Sequence, residues 1–161
     1  MILRDAVRAD WPAFLALNAE SVHFLSPMDD VRLTQLAAAA SYLRVLDDEG
    51  TVAAFLLGFG KGADYDSPNY RWFDSRLDGF FYVDRVVVAP AFRGRGLADR
   101  LYDDVEALAR ARHLACIVCE VNVAPPNPAS LAFHARRGFT QIGRQPYGEG
   151  KTVALLRRDL E

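Results

Sequence analysis

The sequence predicts one α/β domain of the α+β kind over residues 1–161, a mixed, mostly antiparallel central sheet with helices on both faces. Three observations carry this expectation. Phe80–Val88, FFYVDRVVV, is dense in aromatic and β-branched residues, which suit a buried pleated surface. Leu97, Leu101, Val105 and Leu108 recur at i, i+4, i+8 and i+11, one face of a helix, and Leu114–Val123 follows as a second buried strand. The rest of the chain reads as hairpins and short helices. Two buried strands bridged by a helix, set among hairpins, imply a sheet of mixed direction.

Taken in order, Ile2–Val7 reads as a first strand. Asp10 has the chemistry of a helix N-cap, and Pro12 falls early in that helix, where its missing N–H costs little. Phe14, Leu15, Leu17 and Val22 give the helix a buried stripe ending near Phe24, and Ser26-Pro27 breaks it. Asp29 or Asp30 caps a second helix through Leu33, Leu36 and Ala37–Ala40. Tyr42–Leu46 is a strand, Asp47-Asp48-Glu49-Gly50 a hairpin turn, and Thr51–Phe59 the returning strand, apolar enough to lie mid-sheet.

Residues 61–79, KGADYDSPNYRWFDSRLDG, read as a long loop. Such loops are usually functional or disordered, and Tyr65, Tyr70, Trp72 and Phe73 oppose disorder. Two readings stand: a substrate wall whose Asp64, Asp66, Asp74 and Asp78 attract a cationic amine, or a surface flap whose rings cover the core. Ala89-Pro90 ends the strand at 80–88, because proline cannot donate to a sheet ladder. Ala124-Pro125-Pro126 stops the strand at 114–123. Asn127 then caps a short helix with Pro128 at its first position, Gly138 closes it, and Phe139 starts the next strand. Thr152–Leu156 is expected as a last strand at an antiparallel edge.

A chain of 161 residues is long enough to bury a core as one domain. The net charge of −2 gives no general attraction to nucleic acid or to an anionic membrane. The N-terminal MILRDAVRAD lacks the apolar core of a signal peptide, and the longest apolar run, Val52–Leu57, is too short to span a bilayer. A cytoplasmic protein is expected. Cys116 and Cys119 lie three residues apart, roughly 10 Å in a strand, with side chains on opposite faces. The two thiols cannot then pair, and no second pair completes a zinc site, so both read as small packed residues. No metal is expected.

Between the strand at 80–88 and the helix that follows lies Arg93-Gly94-Arg95-Gly96-Leu97-Ala98. The first amides of a helix have no internal partners and carry the positive end of its dipole. Glycines at 94 and 96 let the backbone turn tightly and approach a ligand, and two arginines add charge. The sum is an anion site suited to a phosphate or pyrophosphate. A P-loop is excluded, since no lysine and hydroxyl pair follows Gly96, and a dinucleotide fingerprint is excluded because Asp99 stands where a third small residue is required.

The turn does match R-x-x-G-x-A. Together with Val86-Val87-Val88-Ala89-Pro90 before it and the helix after it, it resembles the acyl-CoA pyrophosphate loop of the GNAT superfamily of N-acetyltransferases. A second stretch, Asn127 to Phe139 with Phe133, His134 and Gly138, resembles the same family's N-x-x-A-x-x-[LF]-[YH]-x-x-x-G-F pattern. The resemblance is specific at residue level from about Tyr82 to Phe139. It implies acetyl transfer from acetyl-CoA, without a metal, to a primary amine of a small molecule or peptide. An alternative on the same fold is a non-catalytic acyl-CoA-binding regulatory module. Acetyl or a longer acyl group, and a monomer or a homodimer, are equally compatible with the sequence.

Such chemistry needs a held thioester, a deprotonated amine and a proton for the departing thiolate. Main-chain amides around Gly94 to Ala98, flanked by Arg93, Arg95 and Leu97, suit the pyrophosphate. The resemblance implies that Val86 and Val88 offer main-chain hydrogen bonds to pantetheine and that Asn127 reaches the cofactor, although Asn127 equally serves as a helix cap. Period two places Tyr82, Asp84, Val86 and Val88 on one face of the strand. Asp84 is then a carboxylate in an apolar strand, suited to act as general base directly or through water; the competing reading is an ion pair with Arg85 or Arg71. Glu120 is the second candidate base. His134 stands where many family members carry a tyrosine; it can donate a proton, hydrogen-bond the cofactor sulfur or pack. His23 and His113 read as ordinary residues.

Overall fold

The structure, a computed structural model, describes residues 1–21 and 25–160; Val22 and Phe24, expected to end the first helix, and His23 lie outside the described residues. The described residues form seven strands and five α-helices. In chain order they are β1 (Ile2–Asp5), α1 (Trp11–Glu20), α2 (Asp30–Ala39), β2 (Tyr42–Asp48), β3 (Thr51–Phe59), α3 (Pro68–Asp74), β4 (Phe80–Val88), α4 (Leu97–Ala111), β5 (Cys116–Ala124), α5 (Pro128–Arg136), β6 (Thr140–Pro146) and β7 (Thr152–Asp159). The strand order is β1-β2-β3-β4-β5-β7-β6. β4 and β5 run parallel, as a helical crossover requires, whereas β1–β2, β2–β3, β5–β7 and β6–β7 are antiparallel. This is the mixed, mostly antiparallel sheet expected. No helix among the described residues is long and apolar enough to cross a membrane.

The chain divides into two compact units, residues 1–59 with 85–107 and residues 60–84 with 108–161. The core of the first contains Trp11, Phe14, Leu17, Leu33, Val45, Phe55, Val87 and Ala89, with Phe14 stacked on Phe55 at 4.3 Å. Asp10 holds the N-cap position of α1 as expected, but its side chain makes no cap hydrogen bond to that helix. Its buried carboxylate accepts from Arg4 at 2.8 and 2.9 Å and from the Val7 amide at 2.8 Å. The hydrogen bond from Arg4 outweighs burial and holds this carboxyl below the usual range. A carboxylate out of water needs a cation more than it needs a helix amide, and that decides its orientation. Asp29, not Asp30, caps α2, accepting from the Arg32 amide at 2.7 Å. The β2–β3 turn contracts to Glu49 and Gly50, at φ 50° and 90°. Positive φ at both positions gives the two-residue hairpin turn that follows strand twist.

In the second unit the expected long loop contains a helix. Ser67 accepts from the Tyr70 amide at 3.4 Å and Pro68 opens α3, the cap-and-proline signal also present at Asn127-Pro128. Tyr65, Tyr70 and Phe73 are buried, and Tyr70 meets Tyr82 edge-on at 5.3 Å, so the rings of this segment cover a core. Asp74 is committed to the segment itself, accepting from the Gly62 amide at 2.9 Å and lying 3.8 Å from Lys61. α4 buries Leu97, Leu101, Tyr102, Val105 and Ala109, while Leu108, expected in the stripe, is only half-buried. Cys116 and Cys119 are free and buried, as packed strand residues.

β7 is not the sheet edge that the sequence led us to expect; it lies between β5 and β6. Val153, Ala154, Leu155 and Leu156 are all buried, which demands neighbours on both sides, whereas β6 (TQIGRQP) carries the polar residues, glycine and proline that suit an edge. Gly143 in β6 is a packing requirement. A Cβ there would stand 3.0 Å from the Trp72 ring and 3.4 Å from Leu155. Gly143→Val is therefore expected to destabilise the protein by about 1–3 kcal/mol, read as a lower urea midpoint at unchanged m-value.

Candidate active site

β4 sorts its side chains by alternation. Arg85 and Val87 are buried, whereas Asp84, Val86 and Val88 are half-buried. Arg85 donates to Asn18 at 2.7 Å and leaves the strand on the face opposite Asp84, the carboxylate weighed as its partner from sequence. After Ala89 a short 3-10 turn, Pro90–Phe92, leads into Arg93–Gly96, all four exposed. Gly94 and Gly96 have φ of 76° and 74°, the left-handed region that glycine enters without strain. Nothing lies within 4 Å of where their Cβ atoms would be, so the turn is open to a ligand. The Gly96 carbonyl accepts from the Arg100 amide at 3.1 Å, so Gly96 stands at the first turn of α4, the positive end of the helix dipole. Arg95 sits over the Phe92 ring at 5.2 Å. Open glycine conformation, exposed guanidinium groups and a helix start fit an anionic group such as a pyrophosphate.

In the second unit the sheet carboxylates Asp84 and Glu120 each accept from a tyrosine. Tyr65 donates to Asp84 Oδ1. Tyr82 donates to Glu120, with its oxygen at 2.8 Å from Oε2. The β4–β5 register pairs Tyr82 with Val118, so alternation puts Asp84 and Glu120 on the same face of the sheet. Tyr82 is fully buried. Burial, then the nearby charges of Glu120 and Asp84, raise its phenol well above the usual range, so it is a donor at neutral pH.

α5 carries the remaining candidates. Asn127 accepts from the Ser130 amide at 3.3 Å and so caps the helix. His134 is buried, with Nδ1 2.7 Å from the Ser130 carbonyl, so Nδ1 carries the proton. Its ring stands edge-on to Phe133 and Phe139 at 5.2 and 5.1 Å. Burial lowers its pKa and the charge of Arg137 adds to this, while the hydrogen bond to Ser130 opposes both. Among the described residues no group of three or more His, Cys, Asp or Glu is placed to hold a metal ion.

Residues 4–139 match the family model of the acetyltransferase (GNAT) family. The chain belongs to that family. An acetyltransferase of Agrobacterium fabrum is 33% identical to this GNAT chain over 81 residues, 50% of the chain and 56% of the relative, so the match spans about half the length of that curated relative. Among solved structures, Ard1 from Thermoplasma volcanium shares the fold at TM-score 0.82 with 16% identity, over 99% of this chain and 97% of that one. A GNAT superfamily phosphinothricin acetyltransferase from Sinorhizobium meliloti, in complex with AcCoA, shares it at TM-score 0.71 with 21% identity, over 99% of this chain and 88% of that one.

In this GNAT chain the turn residues and Asp84 stand where the strand pattern puts them, and Asp84 and Glu120 share a sheet face. Tyr65 as the partner of Asp84, and Tyr82 as the partner of Glu120, escaped the sequence reading. Tyr82 was legible, two residues before Asp84 on one face; Tyr65 was not, because its place depends on how residues 61–67 fold. The buried imidazole of His134 carries a pH signature. Its folded pKa is lowered, so the unfolded chain binds the extra proton first as the pH falls. Its contribution is whole above about pH 6.5 and is lost as pH drops from there toward the folded value. Denaturation midpoints measured across this range should decline toward acid more steeply in the wild type than in His134→Phe.

Proposed function

We propose that this GNAT chain is an N-acetyltransferase moving an acetyl group from acetyl-CoA to a primary amine of a small molecule or peptide. The observation that carries the reading is β4 with the turn after it: a half-buried carboxylate at Asp84, two half-buried valines at Val86 and Val88, then the open Arg-Gly turn on α4. Acetyl-CoA supplies the acetyl group as a thioester. The amides near Gly94, Gly96, Leu97 and Ala98, with Arg93 and Arg95 beside them, hold its pyrophosphate. The main chain at Val86 and Val88 holds pantetheine as a neighbouring strand would. Asn127 caps α5 and reaches the cofactor from there.

Asp84, oriented by Tyr65, takes the proton of the acceptor ammonium, directly or through water. The freed amine forms a bond to the thioester carbonyl carbon as the carbon–sulfur bond breaks. Glu120, held by Tyr82, is the second candidate base. As the amide forms, the attacking nitrogen gives up its second proton, and the leaving thiolate takes that proton by way of His134 or solvent. His134 also favours a second reading, a non-catalytic acyl-CoA-binding module: its Nδ1–H is directed at the Ser130 carbonyl and burial keeps the ring neutral. Calorimetry with acetyl-CoA followed by an amine panel separates the two. Binding with turnover supports the enzyme, binding without turnover the module, and no binding by the folded protein overturns both.

A further inference from the structure

A polar pair on the same sheet face as the two carboxylates has no role in the chemistry above. Glu120 is in register with Leu155, and Leu155 with Gly143; one pleat further along, Asn122 is in register with Val153, and Val153 with Gln145. Partners in register share a face, so Asp84, Glu120, Gly143 and Gln145 project to one side of the sheet. α3 lies on that side. Trp72 stands against Gly143, and the Asn69 side chain accepts from Gln145 Nε2 at 2.7 Å. Tyr70, the residue after Asn69, packs 5.5 Å from Tyr65 and 5.3 Å from Tyr82, the two rings whose hydroxyls hold Asp84 and Glu120. Asn69 is 1% exposed, and its Nδ2 has no hydrogen-bond partner among the described residues. A buried donor left unpaired costs the fold its desolvation and returns nothing unless an acceptor arrives. Gln145 lies two strands across and one pleat along from Glu120, about 12 Å between the backbone positions, a span that a small acceptor molecule bridges.

We propose that Asn69 reads the acceptor, Nδ2 donating to a carbonyl or carboxylate oxygen on the molecule whose amine meets Asp84. The preferred acceptor is then an amine that carries such an oxygen, as amino acids and peptides do, and not a bare alkylamine. This rests on the acetyl-transfer reading. A site built around a hydrogen bond discriminates sharply against analogues lacking the group, because the site's own polar atom is left unpaired.

The test is steady-state kinetics with acetyl-CoA and three amines of matched length: an alkylamine, an amino acid with a free carboxylate, and a dipeptide amide. The wild type should favour at least one of the oxygen-bearing amines by about tenfold or more in kcat/KM, and which of the two separates carboxylate from peptide carbonyl. Asn69→Asp keeps the shape and the oxygen facing Gln145 but turns the donor into an acceptor. It should erase about tenfold of that preference, as should Asn69→Ala. Gln145→Ala releases α3 from β6 but leaves the amide in place, and should preserve part of the preference. A wild type that favours the alkylamine overturns the proposal. So does an equal loss on all three amines in the Asn69 and Gln145 variants, which would make the pair a clamp and its orphan atom a water site. Acetyl-CoA binding with no turnover of any amine would overturn the acetyl-transfer reading, and the acceptor assignment with it.

Discussion

Asp84→Asn is expected to lower kcat by about 100- to 10,000-fold while the calorimetric affinity for acetyl-CoA stays nearly unchanged. The asparagine matches the aspartate in shape and still accepts from Tyr65, so the rings packed around that hydroxyl stay in place. What it loses is the capacity to take a proton, which affects the step that needs a free amine and leaves binding of the donor alone. The split between kcat and cofactor affinity is the informative readout, since a merely structural carboxylate would lower stability and binding together. An unchanged kcat would remove Asp84 from the mechanism. Glu120→Gln would then be the next variant, its carboxylate being on the same sheet face as Asp84 on the neighbouring strand.

The second large effect is expected at the turn. Gly96→Glu should abolish measurable acetyl-CoA binding, and Arg93→Ala should weaken it by about tenfold, both read by calorimetry on protein whose melting confirms the fold. Gly96 has φ of 74°, so any side chain there is strained, and a glutamate adds a negative charge where the start of α4 favours an anion. Space is not the limit, because nothing lies within 4 Å of the missing Cβ; conformation and charge are. Arg93 is exposed and contributes charge without shaping the turn, hence the smaller loss. Undiminished binding in both variants would place the pyrophosphate elsewhere and leave the Arg-Gly turn as a helix start only.

Local rules in the sequence were enough for β4, the turn, α4 and α5, because each is encoded within a few residues: β-branched density, proline and glycine punctuation, a cap followed by proline, an apolar helical stripe. The same rules apply at Ser67-Pro68, where α3 lay within a stretch read as a loop, so that helix was legible in principle. The insertion of β7 between β5 and β6 is also consistent with composition, a buried apolar run beside a polar strand, yet order in a sheet is a choice among pairings that no single strand contains.

The sequence by itself determined the strand–turn–helix unit and the face on which Asp84 stands, since alternation and helix periodicity are properties of consecutive residues. Only the tertiary structure decided the partners: Tyr65 on Asp84, Tyr82 on Glu120, Arg85 on Asn18, Arg4 on Asp10, and the Asn69–Gln145 pair. The physical reason is that a buried polar group takes whichever complementary group folding brings within about 3 Å. That depends on sheet register and loop path across the chain, 76 residues apart for Asn69 and Gln145.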